Sequence, residues 1–145
     1  MSLLSDFFVA TPAAMQAFAA EQSPVNSFPT LQAGAVEAVK LVTLQCIIDG
    51  SSFEEHADKL DALIVRSADE DEGPWVLTVP DVVVAALAQA NEKQIAQYGS
   101  AWAATEEWEL DGVEPDEIID LLKQLAPLAR LAAQEGKKMY LWVSL

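Results

Sequence analysis

The segment from Met139 to Leu145 is apolar on both sides of an extended chain. Met139, Leu141, Val143 and Leu145 fall on one face, Tyr140 and Trp142 on the other. A strand with two apolar faces belongs in the middle of a sheet that is covered above and below. It needs a neighbour on each edge and a packed layer on each side. Two other segments have the composition to be its neighbours. Phe7-Phe8-Val9-Ala10 is a short apolar run, and Trp75-Val76-Leu77-Thr78-Val79 is β-branched and aromatic.

The covering layers must be helical, because helix signals fill most of the remaining chain. Thr11-Pro12 reads as an N-cap with proline at the first helical position, opening an alanine-rich helix to Glu21. Ser23 to Thr30 reads as a loop. Ala35 to Ile48 is apolar nearly all round its axis, which places that helix in the core. Asp49-Gly50 ends it with a left-handed cap. Ser52-Phe53-Glu54-Glu55 matches a capping box, and the helix it starts is expected to run to Val65. Residues 68 to 74 form an acidic turn. Pro80-Asp81 opens a helix through Ala90, and Asn91 caps another from Glu92 to Ala104. Pro115 starts a long amphipathic helix ending near Glu135, with Gly136 as its cap. Ile118, Leu121, Leu122, Leu125, Leu128 and Ala132 form its apolar stripe, and Pro127 should kink it. The expected fold is α+β: a compact single domain over residues 1–145, with five or six helices around a small sheet that contains the N- and C-terminal strands.

Charge bounds the function. The chain has 23 Asp and Glu against 8 Lys and Arg, a net charge of −15, yet 52% of its residues are hydrophobic. Acidic disordered chains have low hydrophobicity, so this is a folded domain in an acidic coat. Such a surface repels nucleic-acid phosphates and anionic lipids and attracts basic proteins. The alanine-rich segment up to Ala20 lacks the cationic start of a leader peptide, since the first Lys or Arg is Lys40. No run reaches the roughly 18 apolar residues of a membrane span. Cys46 has no cysteine partner for a disulfide, and the expected setting is the cytoplasm.

Residues that usually carry chemistry are sparse. His56 is the only histidine and Cys46 the only cysteine, and they give neither a zinc set nor a nucleophile–base pair in sequence. The six glycines are scattered, so no phosphate cradle is visible. No catalytic residue, metal ligand or cofactor is assigned. Calcium loops starting at Asp69 or Asp111 fail, because Gly73 and Val113 fall where ligands are required and Pro74 falls where the turn requires glycine. The one dense feature is the run Glu106, Glu107, Glu109, Asp111, Glu114, Asp116, Glu117 and Asp120, without an intervening cation. Acids after Pro115 complement a helix N-terminus. Glu106, Glu107 and Glu109 follow a helix end, where that explanation fails, and Trp102 and Trp108 flank them. The candidate partner-binding set is therefore Trp102, Glu106, Glu107, Trp108, Glu109 and Asp111, facing a basic protein.

Three blocks carry a resemblance: Gly73-Pro74-Trp75-Val76 with Pro80-Asp81; Trp102-Ala103-Ala104-Thr105-Glu106-Glu107 with Asp111-Gly112; and Gly136-Lys137-Lys138 leading into Leu141-Trp142-Val143-Ser144-Leu145. The chain resembles a group of small bacterial proteins of unknown activity that carry them, best over its second half. Its layout also resembles that of YfbM-like bacterial proteins, which begin with a short strand and helix and end with a helix, a glycine turn and a strand. These resemblances imply a bacterial origin and transfer no catalytic residue. The first expectation is a non-enzymatic cytosolic protein-binding module with an acidic docking face. A small carboxylate-based enzyme or a divalent-metal or ligand-binding domain is the alternative. A homo-oligomer using the apolar termini is the third.

Overall fold

The computed structural model describes residues 3–69 and 71–145; Glu70, in the expected acidic turn, lies outside them, as do Met1 and Ser2. Five strands form one antiparallel sheet: β1 (Leu4–Ala10), β2 (Thr30–Gln32), β3 (Ile64–Ser67), β4 (Trp75–Thr78) and β5 (Lys138–Ser144). Their order is β2-β1-β5-β4-β3, so the doubly apolar strand is central. It pairs with β1 from Leu4↔Ser144 to Ala10↔Lys138 on one edge, and with β4 from Trp75↔Val143 to Thr78↔Tyr140 on the other.

Six α-helices are present among the described residues: α1 (Pro12–Ala17), α2 (Ala38–Asp49), α3 (Asp81–Gln89), α4 (Glu92–Ala103), α5 (Glu106–Leu110) and α6 (Pro115–Glu135). The larger core lies between α2 to α6 and one sheet face, where Phe7, Leu77, Met139 and Leu141 point. On the other face Phe8, Val76, Tyr140 and Trp142 pack beneath Met15, Phe18 and Phe28. The Trp142 indole N–H there donates to the Ala20 carbonyl at 2.8 Å. The alternation expected along the last strand thus maps onto two cores.

The local signals explain the helix ends. Thr11 accepts from the Ala14 amide at 3.1 Å. Asn91 and Gln94 form a reciprocal capping box. Gly50 and Gly136 end α2 and α6 in left-handed conformation. The α6 helix runs on through Pro127.

Three expectations are corrected. The helix expected from Ser52 to Val65 is instead a pair of 3-10 turns, Phe53–Glu55 and Ala57–Leu63, followed by β3. Ser52 makes no side-chain cap bond. The apolar residues Ala57, Leu60 and Leu63 recur every three positions, the period of a 3-10 rather than an α-helix. The expected loop at Ser23 to Thr30 contains a 3-10 turn, Pro24–Asn26, and its last residue begins β2. Finally, Glu106, Glu107 and Glu109 do not trail α4. They open a helix of their own, α5.

The helical layer has one point of backbone-to-backbone closeness. A Cβ added at Gly99 of α4 would lie 2.7 Å from Ile119 Cγ1 and 2.8 Å from Ile119 Cα on α6. Backbone cannot swing aside as a flexible side chain does. Gly99→Ala is expected to cost about 1–3 kcal/mol by overpacking, outweighing its helix-propensity gain of about 1 kcal/mol. Urea unfolding checks this; a neutral or stabilising effect would show that α4 and α6 separate freely.

Candidate functional site

The acidic segment starts where Thr105 turns the chain out of α4. Its hydroxyl donates to the Trp102 carbonyl at 2.6 Å, and its extended backbone becomes the N-cap of α5. Glu106 and Glu107 then sit in the first turn of a new helix, where anions are favoured. Trp108, two residues into that turn, points inward.

The two tryptophans are core residues. Trp102 is 0% exposed and Trp108 is 2% exposed, and their rings meet edge to face at 5.3 Å. The expectation that both flank the acids as anchors for a partner is corrected, because their apolar surface is spent inside. Trp102 donates from Nε1 to the Lys40 carbonyl at 3.0 Å and to Thr43 Oγ1 at 3.2 Å.

Lys40 is the residue that the sequence reading missed. Its side chain is 7% exposed, on the inner face of the apolar helix α2. Its ammonium pairs with the Asp111 carboxylate and donates to the Ala35 carbonyl at 2.5 Å. It also lies 4.1 Å from the centre of the Trp108 ring, a cation–π contact. Asp111, expected in the docking set, is therefore neutralised internally. A lone lysine in an otherwise apolar helix was the available signal, since a buried ammonium requires a carboxylate or carbonyl partner.

Around this cluster the chain forms a cleft of about 380 Å³. Leu31, Trp108, Val113 and Leu121 supply apolar walls, and Glu117 and Asp120 supply carboxylates. One wall is the segment Gly34-Ala35, both residues left-handed, with φ of 76° and 60°. Ala35 adopts this disfavoured conformation with two anchors: its N–H donates to the Leu3 carbonyl at 3.1 Å, and Lys40 holds its own carbonyl. Trp108 Nε1–H, shielded from solvent, has no acceptor among the described residues. Glu117 and Asp120 come from the expected acidic run and line the cleft. Glu106, Glu107 and Glu109 lie outside its lining, on α5.

The structure brings His56 and Cys46 near each other through Ser51. The Ser51 hydroxyl lies 2.5 Å from Asp49 Oδ1, 2.9 Å from His56 Nε2 and 3.7 Å from Cys46 Sγ. The hydroxyl has one proton. The short contact directs it to Asp49, and the role of His56 Nε2 follows its tautomer. An activated serine needs a different arrangement, with the imidazole accepting and the acid orienting the imidazole. The group is a cap on the end of α2. Hydrogen bonds from the Ser51 hydroxyl, then from its amide, hold the Asp49 carboxyl below its ordinary pKa. A lowered folded-state pKa adds stability above the unfolded value and loses it as pH falls through the folded one. Ser51→Ala is thus expected to destabilise the protein at neutral pH by a margin that closes in acid. Denaturant midpoints from pH 7 to pH 2 read this, and a margin constant with pH would refute it. Among the described residues, no three His, Cys, Asp or Glu side chains converge as a metal site. No helix among them is long and apolar enough to cross a membrane.

No protein-family model matches the chain, and no curated protein does. Among solved structures, the chain is similar to that of the protein of unknown function YfbM from Escherichia coli, at 13% sequence identity and a TM-score of 0.46, with 98% of this chain and 99% of that chain covered.

Proposed function

We propose that this chain is a non-enzymatic binding module, cytosolic and bacterial, whose α5–α6 face receives a cationic segment of a protein partner. The observation that carries the reading is the composition of the cleft. It combines apolar walls from Leu31, Val113 and Leu121 with two carboxylates, Glu117 and Asp120. A lysine or arginine side chain fits this chemistry, its stem on the apolar walls and its charge at the carboxylates.

Charge supports the same reading. Glu106, Glu109, Glu114, Asp116, Glu117 and Asp120 are exposed, and among the described residues none of them is ion-paired. Their summed field would chiefly raise the association rate and select basic partners.

The test is calorimetric titration with a synthetic arginine-rich peptide at low salt. Glu117→Lys with Asp120→Lys is expected to weaken binding at least about tenfold, and circular dichroism at the titration temperature checks that the variant, which loses one acid from the first turn of α6, is folded. Raising the salt should weaken the wild type in the same direction. Equal affinity for wild type and variant would sink the reading.

A further inference from the structure

A second groove, of about 310 Å³, opens beside the first cleft. Among the described residues it is lined by Leu60, Ile64, Trp75, Leu77, Val143 and Leu145, with Glu37 and Asp61 as the charged side chains. Ile64 and Leu145 are large apolar residues left 41% and 67% exposed. Ile64 belongs to β3, the outer strand of the sheet.

The two hollows are neighbours. Leu3 lines both, and the segment that walls the first at Gly34-Ala35 walls the second at Glu37-Ala38. That segment is riveted to β1. The Ser5 hydroxyl donates to the Val36 carbonyl at 2.7 Å and accepts from the Val36 amide at 2.9 Å, while the Gly34 amide donates to the Ser5 carbonyl at 3.1 Å. The two hollows are therefore held at a fixed spacing by a shared wall.

We propose that they form one binding surface, which takes a single extended segment of a basic protein partner. Cationic residues of that segment lie at Glu117 and Asp120, and its apolar residues fill the groove between Leu60 and Leu145. This rests on the docking reading above and deepens it. Charge complementarity selects the occupant. The charged residues lining both hollows are all carboxylates: Glu117 and Asp120 in one, Glu37 and Asp61 in the other. A second copy of this chain would bring another net charge of −15 against them, and an anionic membrane would be repelled for the same reason. A segment that is both cationic and apolar satisfies rim and floor together.

The experiment uses three synthetic peptides: an arginine-rich one, an uncharged apolar one, and the two joined through glycine–serine linkers of increasing length, in both orders. Joining two halves that occupy fixed neighbouring sites raises affinity by up to about 10²–10⁴ when the linker spans them. By calorimetry, the best joined peptide is expected to bind at least about tenfold tighter than the better half. Ile64→Asp, and separately Leu145→Asp, should remove that gain while leaving the arginine-rich peptide unaffected. Both residues are exposed, and circular dichroism confirms that each variant folds. The proposal is overturned if no joined peptide beats its better half, or if neither aspartate variant weakens it; the docking reading then stands on the arginine-rich peptide alone. If that peptide does not bind the wild type either, both fall. Sedimentation adds one further outcome: a dimer that Ile64→Asp dissociates would give the groove to a second copy and overturn the proposal.

Discussion

Truncating Trp102 to alanine is expected to remove about 3–5 kcal/mol of stability, the range for deleting a large buried aromatic. Trp102 has no exposed surface, and it joins three helices. It belongs to α4, it donates to a carbonyl and a hydroxyl on α2, and its ring meets Trp108 of α5. Alanine would leave a cavity and would strip the Lys40 carbonyl of its indole donor. Trp102→Phe keeps most of the ring volume and loses the donor, so a smaller cost of about 1–3 kcal/mol is expected. Total stability of a domain this size is about 5–15 kcal/mol, so the alanine variant should melt far below wild type. Urea unfolding of both variants measures the difference. A cost under about 1 kcal/mol for alanine would mean that the helices close over the gap and the indole is no wedge.

The second large effect concerns Asp111, and it is asymmetric. The Asp111 side chain is 40% exposed while that of Lys40 is 7% exposed. Removing the lysine as Lys40→Met leaves a carboxylate that water can reach and fills the apolar site with a side chain of similar length. Removing the acid as Asp111→Ala strands an ammonium in the core, with one carbonyl and the Trp108 ring as its remaining contacts. Breaking a buried pair from that side costs about 3–5 kcal/mol in general, and Asp111→Ala should approach the lower end because those contacts persist. Lys40→Met should cost less, about 1–3 kcal/mol, mostly from the unpaired Ala35 carbonyl. The double variant should be no worse than Lys40→Met alone, because the stranded charge is gone. A double-mutant cycle reads the coupling. Additive costs would show that the two residues do not act as a pair.

The parts of this architecture that could be read from the sequence are those whose causes lie within a few residues. Gly50, Asn91 and Gly136 bond to their own helix ends, so the bounds of α2, α4 and α6 came out within a few residues, while Thr11 marked the start of α1 but not its end, which falls at Ala17 rather than Glu21. The alternation in β5 is equally local, and it announced a covered central strand. The missed elements owe their conformation to distant partners. β2 is three residues long and exists because β1 pairs with it. β3 exists because β4 does, across the acidic turn. The candidate site was legible only as a patch of charge. Lys40 and Asp111 are 71 positions apart, and Lys40 and Trp102 are 62 apart. Nothing near any of them states that they meet. Glu117 and Asp120 stood in the acidic run on equal terms with Glu106. What separates them is the wall contributed by Leu3, Leu31 and Gly34, from the other end of the chain.

The strand that holds the sheet together follows the other four in the chain. Without residues 138 to 144 the strand order divides into two pairs, β2-β1 and β3-β4, each with an inner edge of unpaired amides and carbonyls. Both are open to pairing with other chains until β5 slides between them. Only β5 covers those two inner edges among the described residues. A stop codon just ahead of Lys138 would strand the nascent protein at that exposed stage, turning a short truncation into an aggregating product.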